Sequence, residues 1–120
     1  MNEKKENVIL SKSFSFAIRI VKLYQYLTEQ KREFVMSKQL LRSGTAVGAL
    51  VREAQNAESK ADFIHKLGIA QKECDECIYW IELLEHTEYL SENEAESIKD
   101  DAIELLKMLR CAIITSKKKS

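Results

Sequence analysis

The 120-residue sequence has no proline and only three glycines. An all-β sandwich or barrel needs many tight turns, and those turns depend on both residue types. The shortage of turn-forming residues therefore argues against an all-β fold.

Long uncharged runs are also missing. The longest, residues 43–51, has nine residues, whereas a transmembrane helix needs about 20. Lys12 interrupts the only apolar run near the N-terminus, so no secretory signal is visible. Three cysteines leave one over in any intramolecular pairing scheme, which favours a reducing compartment. We expect a cytoplasmic protein that does not engage a membrane.

The residues that are present suit a soluble, helix-rich domain. Apolar residues make up 45% of the chain and charged residues 32%. A chain of this length can bury a core without disulfides or metal. We predict a single domain over residues 1–120, with a flexible N-terminus up to about residue 12 and a basic tail over about residues 116–120.

Apolar residues recur at helical spacing in four segments, which predicts an all-α fold. The first segment, about Ser13–Thr28, carries two apolar stripes, although a bundle core needs only one. The first stripe consists of Phe14, Ala17, Val21, Tyr24 and Thr28. The second consists of Phe16, Ile20, Leu23 and Leu27.

The other three segments repeat apolar residues at alternating steps of three and four. These a/d positions are Leu40, Gly44, Val47, Val51 and Ala54 in the second segment, Phe63, Leu67, Ala70, Cys74, Cys77, Ile81 and Leu84 in the third, and Ala95, Ile98, Ala102, Leu105, Leu109 and Ala112 in the fourth. This a/d spacing is typical of helices packed at shallow angles. Ser37 is the predicted N-cap of the second helix, and Ser59 and Ser91 begin capping boxes before the third and fourth. Short links make neighbouring helices antiparallel, so we predict an antiparallel up-down-up-down four-helix bundle.

The net charge is zero, but the charge is unevenly distributed. Residues 1–55 hold ten Lys/Arg and five Asp/Glu, whereas residues 56–106 hold four and fourteen. Basic residues of the first part are candidates for contact with the phosphates of RNA or DNA. In order of preference they are Arg42, Lys38, Arg19, Arg52, Lys12 and Lys22. The alternative is that they form a solvated face or pair with the acidic helices.

Residues able to carry chemistry are few and poorly placed for it. Cys74 and Cys77 form a Cys-x-x-Cys pair, but both fall on a/d positions inside the third helix. That placement favours core packing over redox or zinc chemistry. Asp62 and His65 match one copy of a motif that a di-iron bundle needs twice. We predict no enzyme, no catalytic residue, no cofactor, no metal and no small-molecule substrate.

The segment Ser43–Ala49 is rich in small residues and holds two of the three glycines. Glycine inside a helix costs about 1 kcal/mol relative to alanine. Close approach of a second helix would offset that cost, and the second stripe of the first helix also needs a partner. We therefore interpret six residues as helix-packing or oligomer contacts: Ser43, Gly44, Gly48, Phe16, Ile20 and Leu23.

The same region carries a pattern that packing alone does not require: Gln-Leu-x-Arg-Ser, small residues, Glu-Ala, Ser-x-x-Asp-Phe-Ile and Leu-x-Ile-Ala. The residues that form it are Gln39, Leu40, Arg42, Ser43, Glu53, Ala54, Ser59, Asp62, Phe63, Ile64, Leu67, Ile69 and Ala70. The chain resembles the four-helix-bundle family encoded in intervening sequences of bacterial 23S rRNA genes, also labelled S23 ribosomal proteins. It departs from that family at Ala46 and Leu50, where the family usually has Ser and Asn.

The resemblance implies an up-down four-helix bundle and a ring-forming homo-oligomer, with a pentamer favoured. It also implies a distant likeness to the accessory protein of diversity-generating retroelements, which is basic and assists a reverse transcriptase. Together with the basic residues, it predicts a non-enzymatic homo-oligomeric binding or scaffold protein that contacts RNA or DNA through a repeated basic patch. The alternative is a purely structural or protein-binding oligomer without a nucleic-acid role.

Overall fold

The chain folds into four helices in sequence order. The structure, a computed structural model, describes residues 3–119, with side chains from residue 8 onward. The helices are α1 (Glu3–Glu29), α2 (Met36–Gln55), α3 (Lys60–His86) and α4 (Glu92–Lys118), and the described residues contain no strand. Each helix packs along the next, and α1 also packs on α4. The predicted all-α four-helix bundle is confirmed, and it measures 49 × 21 × 20 Å.

The core lies on the predicted a/d positions of α2, α3 and α4. Of these, Phe63 is partly buried and all the others are buried. The largest fully buried side chains include Leu40, Leu67, Ile81 and Leu109. In the part of the chain that the structure describes, no helix is long and apolar enough to cross a membrane.

The ends of the chain are more helical than predicted. α1 begins at Glu3, so the predicted helix start near Ser13 is wrong. Buried Ile9 packs this early part of α1 into the core, and such tertiary packing stabilises a helix that local propensity does not reveal. α4 likewise continues through buried Ser116 to Lys118, so most of the predicted tail is helix. Residues 1–2 and 120 lie outside the described residues.

The two stripes of α1 have the opposite roles from those predicted. Phe16, Ile20 and Leu27 of the second stripe are buried in the bundle core. Phe14 and Val21 of the first stripe are exposed. The exposed apolar stripe of α1 is therefore the first one.

The start of α2 is capped by Glu33, and the predicted Ser37 cap is wrong. Val35 occupies the N-cap position and makes no side-chain cap bond. Instead, the Glu33 carboxylate accepts hydrogen bonds from the backbone N–H groups of Val35 (3.1 Å), Met36 (3.1 Å) and Ser37 (2.7 Å). Burial alone would raise the pKa of Glu33, but these bonds outweigh burial and hold its pKa below the ordinary value. A neighbouring positive φ of 55° at Arg32 lets the chain turn into α2.

The capping box at Ser91 is complete, as predicted. Ser91 Oγ accepts from the Glu94 N–H (3.1 Å), and the Glu94 carboxylate accepts from the Ser91 N–H (2.8 Å). Ser59 Oγ accepts from the Asp62 N–H (3.0 Å). The Asp62 carboxylate accepts from the N–H of Glu58 (3.3 Å), one residue before the cap, so the second box is only partly formed.

Candidate interaction surfaces

The small residues of α2 let α1 approach closely. A β-carbon on Gly44 would come within 2.7 Å of Ile20, and one on Gly48 would come within 3.2 Å of the Ser13 carbonyl oxygen. Ser43 is buried, and its hydroxyl donates to the Gln39 carbonyl (2.9 Å) within α2. The structure therefore places the predicted contacts Ser43, Gly44, Gly48, Phe16 and Ile20 inside one chain, with Leu23 partly buried against the same core.

Arg42, the first candidate for phosphate contact, joins α2 to α3. Its guanidinium donates to both carboxylate oxygens of Glu73 (3.1 Å each) and to Glu76. The hydrogen bonds that Arg42 donates to Glu73 and then to Glu76 raise the pKa of Arg42. Glu76 also accepts from the Trp80 indole N–H at 3.1 Å, and this bond and Arg42 together lower the pKa of Glu76. Two acidic partners thus balance the charge of Arg42.

Arg19 and Lys12 join α1 to α4. Arg19 donates to the Asp101 carboxylate (2.6 Å), to the Ser97 hydroxyl (3.0 Å) and to the Ser97 carbonyl (3.3 Å). Lys12 pairs with Glu104, and their hydrogen bond raises the pKa of Lys12. Carboxylates of α3 and α4 thus form ion pairs with three of the six basic candidates.

Lys22, Lys38 and Arg52 remain. All three are exposed, and none forms an ion pair within the described part of the chain. The Arg52 guanidinium lies 5.8 Å from the centroid of the Phe14 ring, which is cation–π distance. Of the six predicted basic residues, only these three on α1 and α2 stay without an ion pair in the described part of the chain, and Lys38 and Arg52 lie about 21 Å apart along α2.

The Cys-x-x-Cys pair belongs to the core. Cys74 and Cys77 are buried free thiols, and burial raises the pKa of each to about 12. Cys74 Sγ donates to the Ala102 carbonyl across the α3–α4 contact (3.3 Å). Among the described residues, no group of three or more His, Cys, Asp or Glu side chains is placed to hold a metal ion.

The outward side of α1 carries an apolar surface that we call the α1 face: Phe14, Ile18 and Val21. These side chains are 56%, 43% and 39% exposed. The charged residues between Val8 and Val21 are Lys12 and Arg19, and both turn toward α4. The α1 face therefore has no charged side chain along this stretch. Phe14 and Val21 belong to the first apolar stripe of the sequence. The spacing of apolar residues alone does not tell which of the two stripes faces the core.

A groove of about 730 Å³ lies beside the α1 face, between α1 and α2. Its apolar part is lined by Leu10, Phe14, Ala17, Gly48 and Ala49. The α2 side of the groove is formed by residues with little or no side chain, Gly48 and Ala49. Gly48, which lets α1 and α2 approach closely, therefore also borders the surface beside Phe14. At one end the groove becomes charged, where Lys66 pairs with Glu53 at 2.9 Å.

Comparison with known proteins agrees with this fold. Residues 5–111 match the family model of the 23S rRNA-intervening sequence protein. The chain is also similar to a crystal structure of a protein with unknown function from the S23 ribosomal protein family of Bacteroides thetaiotaomicron VPI-5482. The two are 54% identical, the match covers 91% of this chain and 97% of the other, and the TM-score is 0.90. No curated protein matches significantly.

Proposed function

Because this chain belongs to the 23S rRNA-intervening sequence protein family, we propose that it is a non-enzymatic, homo-oligomeric scaffold protein whose copies associate through the α1 face. The observation that carries the proposal is the exposure of Phe14, Ile18 and Val21 in one apolar row on the outward side of α1. The charges beside this row are Arg52, whose guanidinium lies against the Phe14 ring, and Lys22, which follows Val21. Burying such a row of apolar side chains against another molecule removes their surface from water, which stabilises an assembly.

The assembly we propose is a closed ring of identical copies, with a pentamer favoured. Most soluble oligomers are built from identical chains with closed symmetry. The rigid four-helix core would present the α1 face at the same angle in every copy. A ring also repeats any ligand-binding surface around its circumference, so that weak single contacts add up to strong binding.

A matched pair of variants tests the association. Ile18→Glu places a charge on the α1 face, whereas Val35→Glu places the same charge on an exposed apolar residue of the α1–α2 connection. Sedimentation velocity should show that Ile18→Glu dissociates to monomers while Val35→Glu sediments like the wild type. Equal sedimentation of Ile18→Glu and the wild type would contradict the proposal.

Contact with RNA or DNA is a second candidate function. The observation that favours it is the set of three exposed basic side chains, Lys22, Lys38 and Arg52, left without ion pairs in the described part of the chain. Each copy then supplies three basic side chains along α1 and α2, and a ring repeats them. Arg42, Arg19 and Lys12 contribute less, because carboxylates of α3 and α4 balance their charge.

Salt dependence and charge reversal test this second function. Phosphate contacts weaken steeply as salt rises from about 50 to 200 mM. Binding of a labelled single-stranded RNA, followed by fluorescence anisotropy, should show that steep loss. Lys38→Glu should weaken binding at low salt more than Lys107→Glu, which makes the same charge change at an exposed site on α4. Absence of binding at the lowest salt, or equal losses in the two variants, would argue for a purely structural or protein-binding oligomer.

We also propose a cytoplasmic location. The support is that all three cysteines are free, since disulfides persist mainly in oxidising compartments. Fractionation of cells with an antibody to the protein checks this, and recovery in a membrane or secreted fraction would contradict it.

A further inference from the structure

Tyr79 is an exposed aromatic residue on the outward side of α3. It is 55% exposed, and its ring meets Trp80 edge-on at a centroid distance of 5.0 Å. Asp75 and Glu82, four residues before and three after, are neighbours of Tyr79 on the same helix face and are exposed. We call these three residues the Tyr79 face. It presents an aromatic ring between two carboxylates.

The bundle places the Tyr79 face on the opposite side from the α1 face. α1 packs on α2 and α4, α3 packs on the same two helices, and no Cα atoms of α1 and α3 come within 8 Å of each other over the described residues. These helices therefore occupy diagonal corners, and their outward sides point in opposite directions. One copy cannot join its own two faces, whereas two neighbouring copies can.

The two faces are chemically complementary. The α1 face is apolar, and the exposed cation Lys22 follows directly after Val21. The Tyr79 face is centred on an aromatic ring, and its Asp75 carboxylate forms no ion pair among residues 8–119. Tyrosine is favoured at interfaces because its ring buries apolar area while its hydroxyl tolerates water.

We infer that the α1 face of one copy binds the Tyr79 face of the next copy, an inference that rests on the proposed homo-oligomer. The occupant of the α1 face is thus a second copy of this chain, and the contact is heterologous because two different surfaces meet. Opposite charges beside the apolar centre, Lys22 on one side and Asp75 on the other, set the orientation. Such a contact closes into a ring when the rotation between copies closes. The competing arrangement is a two-fold pair in which two α1 faces meet.

Complementation between variants separates the two arrangements. Ile18→Glu removes the α1 face and keeps the Tyr79 face, whereas Tyr79→Lys does the reverse. Both positions are exposed, and circular dichroism checks that the variants stay helical. The pair Val21→Glu and Asp75→Lys repeats the test at independent positions. The control is Val35→Lys, at a residue that is 75% exposed and belongs to neither face.

Light scattering on a size-exclusion column is the measurement. Each single variant should elute as a monomer of about 13.9 kDa, and an equal mixture of the two should elute at twice that mass or more. The mixture forms at least a pair because one intact α1 face and one intact Tyr79 face can meet, and the two altered faces carry opposite charges that can also pair. Val35→Lys should assemble like the wild type.

Two results would overturn the inference and leave the oligomer intact: assembly of Tyr79→Lys by itself, or a mixture that stays monomeric. The first is what a two-fold pair of α1 faces predicts. A monomeric wild-type protein would instead overturn the proposed function, and the inference with it.

Discussion

Gly44 of α2 lies directly against Ile20 of α1, so that a β-carbon on Gly44 would stand 2.7 Å from Ile20 Cγ1. Atoms in protein interiors do not pack that closely, so the two helices can meet at this distance only because residue 44 has no side chain. Gly48 repeats the arrangement against the backbone of Ser13. The position of the α1 face relative to α2 therefore depends on two glycines of the buried seam.

Gly44→Ala should destabilise the protein. Overpacking a core costs about 1–3 kcal/mol, and the gain in helix propensity returns about 1 kcal/mol of it. We expect a net fall in the free energy of unfolding, measured by urea denaturation. A variant as stable as the wild type would show that Ile20 moves aside without cost.

Gly68→Ala provides the matched control for that change. Gly68 also lies inside a helix, α3, but a β-carbon there meets nothing within 4 Å. The propensity gain of about 1 kcal/mol is then unopposed, so this variant should be more stable than the wild type. The two glycine substitutions should therefore have opposite signs in the same urea experiment.

Glu33→Gln should destabilise the protein and alter its response to acid. The carboxylate satisfies three backbone N–H groups at the start of α2, and weakening such bonds costs roughly 1–3 kcal/mol. The folded pKa of Glu33 lies below its ordinary value of 4.5, so its contribution is fully present above pH 4.5 and is lost as pH falls through the folded pKa.

Urea titrations of Glu33→Gln and the wild type at several pH values check the acid response. The stability gap between the two should be constant above pH 4.5 and narrow below it. A gap that does not change with pH would show that the charge of Glu33 does not stabilise the cap.

Arg42→Gln should cost stability through the α2–α3 contact. Arg42 is exposed and pairs with Glu73 and Glu76, so the expected loss is about 1 kcal/mol or less. High salt should shrink the loss, because exposed ion pairs are screened. Lys38→Gln removes an exposed charge that has no ion-pair partner among the described residues and should leave the free energy of unfolding unchanged. Equal losses for the two variants would contradict the structural role of Arg42.

The three cysteines should differ in reactivity. Cys111 is exposed, whereas Cys74 and Cys77 are buried and burial raises the pKa of each thiol to about 12. A chromogenic disulfide reagent at neutral pH should therefore modify one thiol per folded chain, and all three after addition of urea. Rapid modification of all three in the folded protein would indicate that the α3–α4 seam opens.

The bundle was predictable from the sequence because the apolar repeat and the helix caps depend on residues that are close together in the sequence. The a/d steps of α2, α3 and α4 identified core residues such as Leu40, Leu67 and Leu109, and Ser91 began a complete capping box. The family resemblance over Gln39–Ala70 was likewise confirmed.

What the sequence did not reveal depends on contacts between distant residues. The choice between the two stripes of α1 is made by which of them meets Gly44, and the cap of α2 comes from Glu33 in the preceding loop. The ion pairs of Arg42, Arg19 and Lys12 with α3 and α4 also form only in the folded chain, because the partners are 31 or more residues apart in sequence. The exposed α1 face and the small number of basic side chains without ion pairs both follow from these long-range contacts.

We propose that copies of this chain assemble through the outward side of α1. Native mass spectrometry of the wild-type protein tests it most directly. We predict a single closed species at a multiple of 13.9 kDa, with five copies favoured, and loss of that species in Ile18→Glu. A wild-type spectrum that contains only the 13.9 kDa monomer would contradict the account.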